Sequence, residues 1–176
     1  MVIMTTSYRR RGWAILLVLA VLLAGLAPAS HAKLKDPQKL VSFINIELPG
    51  WKVKEGYPKL ERVKGKEGAY VEAQVIYTSG KSTLTAVIME GEVSKNVADV
   101  KKFPMADNPK GYCRKTAIQG FQAVELYEKA KKSAFLFIFV APNCMISMEG
   151  KEVENAKALR DLANKIDLPG LAAAVK

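Results

Sequence analysis

Tyr70-Val71-Glu72-Ala73-Gln74-Val75-Ile76-Tyr77-Thr78-Ser79-Gly80-Lys81-Ser82-Thr83-Leu84-Thr85-Ala86-Val87-Ile88-Met89 reads as two β-strands and the turn between them. Val71, Ala73, Val75 and Tyr77 point one way at a period of two, and Tyr70, Glu72, Gln74 and Ile76 point the other. Thr78-Ser79-Gly80-Lys81 is turn chemistry, and Thr83 to Met89 is a second β-rich run, so the segment predicts a hairpin.

The same logic extends downstream. Tyr112 to Gln119 predicts a strand broken at Gly120, and Phe121 to Glu128 another. Lys129-Ala130-Lys131-Lys132 makes a basic turn. Ser133 to Ala141 is apolar on both faces, with Phe135, Phe137 and Phe139 on one and Leu136, Ile138 and Val140 on the other. Such a strand belongs in the centre of a sheet, covered on both sides. The Phe stripe reads as core, with an apolar ligand pocket as the alternative. Pro142-Asn143 turns the chain into Cys144 to Glu149.

Upstream, Asp36-Pro37 opens a helix, with Asp as N-cap and Pro at the first helical position. Leu40, Phe43 and Ile44 share its apolar face, and Pro49-Gly50 ends the segment before Trp51. Residues 52 to 68 lack a clean period and predict a short strand and a mobile basic loop. Asn96 and Asp99 start a brief central helix with Val97, Val100 and Phe103 on its face. Pro104 stops it, and residues 104 to 111 form a loop. At the C-terminal end Val153, Ala156, Leu159, Leu162, Ala163 and Ile166 form a helical stripe, with Glu152 and Glu154 in the first turn and Lys165 in the last. Pro169-Gly170 terminates it. The fold class is therefore α+β: an antiparallel sheet with helices packed at the N-terminal, central and C-terminal segments.

The first 32 residues read as an export signal. Arg9, Arg10 and Arg11 form a positive n-region, Trp13 to Ala27 is an unbroken apolar run, and Ser30-His31-Ala32 suits a signal peptidase. Leu26 stands where a lipobox would need Cys. Cleavage after Ala32 predicts a single exported domain over residues 33–176, periplasmic or secreted. An uncleaved N-terminal membrane anchor is the alternative. The only histidine, His31, leaves with the leader, which removes Ser-His-Asp, Cys-His and His-containing zinc chemistry from the mature chain.

The full chain carries a net charge of +10, and loss of the three leader arginines leaves +7. Lysine supplies the excess, since only Arg62, Arg114 and Arg160 remain. Lysine is a strongly hydrated point charge, less suited than the arginine fork to bidentate phosphate or base recognition. The partners this charge predicts are an acidic protein face, an anionic lipid headgroup or an envelope polymer, and not nucleic acid.

Cys113 and Cys144 are an even pair in an oxidising compartment and predict a disulfide, worth about 3–4 kcal/mol in the chain-entropy model. The rival reading is two buried thiols that pack as small hydrophobes. Cys144, Met145 and Met148 do not converge on a strand, so no metal site is assigned. Glu90 with Glu92, and Glu149 with Glu152, are pairs that read as solvated carboxylates rather than acid–base groups. No catalytic residue and no cofactor is assigned.

Trp51, Tyr57, Tyr70, Tyr77, Tyr112 and Phe121 lie near element ends or on sheet faces, where aromatic groups with polar tips suit binding. Trp51, Lys52, Lys54, Tyr57, Lys59, Lys64 and Lys66 together outline a basic aromatic surface over residues 51–66. The competing reading is a core Trp beside a soluble lysine loop.

Pro49-Gly50-Trp51 leading into the hairpin, Ile118-Gln119-Gly120-Phe121-Gln122-Ala123, and a terminal helix ending Lys165-Ile166-Asp167-Leu168 resemble small exported bacterial proteins and, more distantly, the PsbP-like α/β/α sandwich. The resemblance covers most of the mature chain and carries no catalytic residues. It implies a non-catalytic accessory or binding protein, acting through a sheet face or the 51–66 loop. A small-molecule or lipid carrier with an aromatic-lined cavity between sheet and helix is the alternative, and an enzyme without histidine chemistry the third.

Overall fold

Gly80 adopts a left-handed φ of 57°, and with Lys81 it closes a two-residue turn between β3 (Gly68–Ser79) and β4 (Ser82–Gly91). Val71, Ala73, Val75 and Tyr77 are buried and their alternates half-exposed, as the period of two requires. The computed structural model describes residues 37–65, 68–91 and 105–175. The leader, the central helix expected over residues 96–103, Asp36, Lys66 and Glu92 lie outside the described residues.

The architecture is α+β, and the described residues form one antiparallel sheet of nine strands. Before the hairpin come α1 (Gln38–Ile44), β1 (Lys52–Val53) and β2 (Lys59–Gly65). After it come β5 (Ala106–Asn108), β6 (Gly111–Ile118), β7 (Phe121–Glu128), β8 (Ser133–Ala141) and β9 (Cys144–Lys151). Helices α2 (Lys157–Lys165) and α3 (Leu168–Ala174) close the chain. The strands run β1-β3-β4-β9-β8-β7-β6-β5, with β2 also on β3. All pairings are antiparallel, and β8 is central, as its two apolar faces predict.

The described helices pack against one sheet face, where Leu40, Ile44, Leu159, Leu162, Leu168 and Leu171 join the buried strand residues in a single core. Each fully buried Leu or Ile contributes about 1.5–3 kcal/mol. On the second face Cys113 and Val124 are buried, with Leu126 and Phe139 packed against them. Phe135, Phe137 and Phe139 are half-buried there, so the strand is not enclosed equally on its two sides.

Several sequence expectations are corrected. The segment read as a mobile basic loop is largely β2, which pairs with β3 from Lys59↔Gln74 to Gly65↔Gly68. An edge strand has one paired side and tolerates charge on both faces, so it shows no clean period. Residues 106–108, read as loop, form the short edge strand β5. Helix α1 ends at Ile44 rather than at Pro49-Gly50, and Pro37 occupies its N-cap position.

The terminal helix is two helices. Glu152 and Glu154 precede the first, whose opening amide at Lys157 donates to Asn155 Oδ1 at 2.7 Å. Pro169-Gly170 begins the second rather than ending the first. Pro169 stands in its opening turn, where a missing N–H costs nothing, and the Gly170 amide donates to the Asp167 carboxylate at 2.9 Å.

Gln119 and Gly120, both at positive φ, form the β6–β7 turn. Gln119 Nε2 donates to the carbonyls of Ala163, Asn164 and Ile166 at 3.2, 3.2 and 2.7 Å. The turn thereby caps the carbonyls at the end of α2, of which Ala163 O also accepts from Ile166 N at 3.3 Å. It also ties the helix to the β6–β7 hairpin.

Candidate functional site

Strands β1 and β2 lie end to end along the same side of β3, and their outer backbone edge pairs with no strand among the described residues. Lys52 stands opposite Thr78, the Lys54 amide donates to the Ile76 carbonyl at 2.8 Å, and Lys59 stands opposite Gln74. Thr78, Ile76 and Gln74 are alternate residues of one strand, so by backbone register the three lysine positions recur along the edge at intervals of about 6.6 Å. All three are exposed, and none makes an ion pair among the described residues.

Tyr57 and Lys59 belong together, because the ammonium sits 5.0 Å from the ring centroid and the ring packs on the core. Lys64 does not join the row. It stands opposite Ala69 and projects to the helical face. The row ends at Glu61 and Glu72, which face each other across β2 and β3. Burial, and then the Glu61 charge, raise the Glu72 carboxyl above its ordinary range.

Trp51 is half-buried at the start of this edge and packs on the core, while its amide donates to Leu48 O at 3.0 Å. It forms a wall of two surface clefts. One, of about 330 Å³, is lined by Ile46, Trp51, Val53 and Tyr77; the other, of about 350 Å³, lies against Ala158, Asp161, Asn164 and Lys165 of α2. Val53 is one of two large hydrophobic residues that stand exposed among the described residues. Beneath the first cleft Tyr77 is fully buried. Its hydroxyl donates to Ile44 O at 2.6 Å and accepts from Ile46 N at 3.2 Å, which fixes the turn out of α1.

The interior between sheet and helices is filled by fully buried side chains such as Tyr77, Leu84, Ile88, Leu136 and Leu159. The two clefts at Trp51 open to the surface. Among the described residues no group of His, Cys, Asp and Glu could hold a metal ion, and no helix is long and apolar enough to cross a membrane.

The expected disulfide is not formed. Cys113 on β6 and Cys144 on β9 are free, with β7 and β8 between them. Cys113 belongs to the second-face cluster and Cys144 to the core under the helices. Three strand spacings amount to roughly 14 Å, far beyond disulfide reach. Burial raises both thiols, and with the nearby Glu90 it pushes Cys144 up to about 12.

One charged cluster escaped the sequence reading. Glu125 is fully buried on the helical face of β7. Its Oε1 accepts from Tyr112 Oη at 2.6 Å and from Arg114 Nη2 at 2.8 Å, and Arg160 Nη1 of α2 stands 3.3 Å from Oε2. The Arg114 guanidinium also lies 4.5 Å from the Tyr112 ring centroid. Burial, then the hydrogen bond to Glu125 and its charge, push the Tyr112 phenol up to about 12.

No family model, no curated protein and no solved structure matches this chain. Its chemistry has to be read from these placements.

Proposed function

We propose that the chain is an exported, non-catalytic binding module that takes an extended acidic polypeptide along the β1–β2 edge. The observation that carries this is the row Lys52, Lys54 and Lys59 beside a backbone edge that pairs with no strand among the described residues. Adding a strand to a free sheet edge gains affinity from main-chain hydrogen bonds and specificity from alternate side chains. Acidic residues at every second position of the added strand would lie directly across from the lysines, where opposite charges attract. Glu61 sets the register by repelling acid at its own end of the row.

Trp51 supports the same reading. It offers a rigid, half-buried aromatic surface at one end of the edge, of the kind that anchors binding interfaces. Exposed lysines also keep the edge from pairing with uncharged strands while it is empty.

The test is binding of a poly-glutamate peptide across a salt series. Lys52→Glu/Lys54→Glu/Lys59→Glu is expected to weaken binding about tenfold or more and to flatten its salt dependence. Lys64→Glu, on the other face, is expected to change it by about twofold or less. Unchanged affinity in the triple variant would remove the row as the site. Binding to vesicles of phosphatidylglycerol in place of the peptide would assign the row to a lipid headgroup instead.

A further inference from the structure

At the opposite side of the sheet, on its other face, two of the three arginines outside the leader meet over one buried carboxylate. Arg114 comes from β6 and Arg160 from α2, and both reach Glu125 on β7. Taking that carboxylate out of water is costly, and well-packed apolar residues in its place are often as stable or more so. What the arrangement delivers is two guanidinium groups held in position.

Arg114 is fixed twice, by Glu125 at its edge and by the Tyr112 ring against its face. Tyr112 is fixed in turn by its own hydrogen bond to Glu125. The Arg114 side chain remains 51% exposed and that of Arg160 37%. A guanidinium has five N–H donors, and Glu125 uses few of them. Among the described residues Glu125 Oε2 accepts no hydrogen bond, and Arg160 Nη1 faces it as an ion pair.

We propose that Arg114 and Arg160 form a binding site for a phosphate group, with Glu125 and Tyr112 as positioning residues beneath it. Arg114 Nη2 lies 2.8 Å from Glu125 Oε1 and Arg160 Nη1 3.3 Å from Oε2, so two guanidinium groups flank one carboxylate, and two forks suit a tetrahedral oxyanion with three terminal oxygens. A planar carboxylate is filled by a single fork. The site shares no residue with the lysine row, so either can fail without the other.

The experiment is a titration of the purified protein with inorganic phosphate at constant ionic strength, read on the arginine Nε–H resonances by NMR. Arg114 and Arg160 are expected to shift in a saturable way, while Arg62, at the distant β2 edge, stays still. Glycerol 3-phosphate is the second arm: equal or tighter binding assigns the site to a phosphorylated small molecule, and weaker binding to the free ion. Arg114→Lys and Arg160→Lys keep the charge but lose the fork, and each is expected to weaken binding about tenfold. Lys115→Gln, a neighbouring charge on the other face of β6, is expected to leave binding unchanged. A common, non-saturating drift of all three arginines would overturn the proposal, and so would acetate binding as tightly as phosphate. The wild-type titration decides this even where a variant does not fold.

Discussion

Arg114 and Glu125 stand directly opposite each other in the β6–β7 hairpin, and Arg114 Nη2 donates to Glu125 Oε1 at 2.8 Å. The pair places a charge inside the layer that joins helix α2 to the sheet. Its partners Arg160 and Tyr112 make it a network, and a network responds differently to the loss of one member and to the loss of all.

Glu125→Ala is expected to lower stability by about 2–4 kcal/mol, because it leaves Tyr112 and both arginines without their acceptor. Replacing Glu125, Arg114 and Arg160 together by leucine or methionine, with Tyr112→Phe so that no donor is orphaned, is expected to cost about 1 kcal/mol or less. Urea denaturation of the two variants measures the contrast, and equal losses would contradict the network account.

Tyr77→Phe tests the anchor under Trp51. The variant removes a hydroxyl that donates to Ile44 O and accepts from Ile46 N in a buried setting. A loss of about 1–3 kcal/mol is expected, with faster amide exchange at Ile46. Exchange at Ile46 unchanged from wild type would show that the turn is held by packing alone.

The thiols are expected to be inert in the folded protein. Burial raises both, Cys144 to about 12, so little thiolate forms near neutral pH. Iodoacetamide is expected to label neither cysteine until the chain is unfolded, and reducing agent is expected to leave the melting temperature unchanged. A mass two hydrogens short under non-reducing conditions would contradict the structure.

Much of the sheet is legible in the sequence because strands buried on one face must alternate. Val71, Ala73, Val75 and Tyr77 do so, and β8 shows two apolar faces because it is central. The edge strand β2 is not legible: Lys59, Glu61, Arg62 and Lys64 carry no period once burial stops selecting for it. Pro169-Gly170 is ambiguous for another reason, since Pro serves both just after a helix and in its first turn. The Glu125 cluster had a signal that went unused. Once Gln119-Gly120 is taken as the turn, residues equidistant from it are paired, which sets Arg114 against Glu125 and Tyr112 against Tyr127. Arg160 could not be added, because helix docking is not written in any local pattern. Counting strands and faces would likewise have separated Cys113 from Cys144.

Glu72 and Glu61 oppose each other on neighbouring strands, and burial followed by that repulsion raises Glu72. A carboxyl raised in the folded state favours folding while protonated, so its contribution is lost as pH rises through the folded value. Glu72→Gln is therefore expected to raise the melting temperature at pH 7 and to leave it little changed near pH 4. A thermal melt series across that range checks the sign. A variant less stable than wild type at pH 7 would contradict it.

Hydrogen exchange on the β1–β2 edge tests the central claim most directly. With poly-glutamate present at saturating concentration, the amides of Lys52–Val53 and Lys59–Gly65 that point away from β3 are expected to become protected, while β5, at the other end of the sheet, stays as it was. Protection at β5, or binding that leaves the β1–β2 amides exchanging at their free rate, would contradict strand addition beside the lysine row.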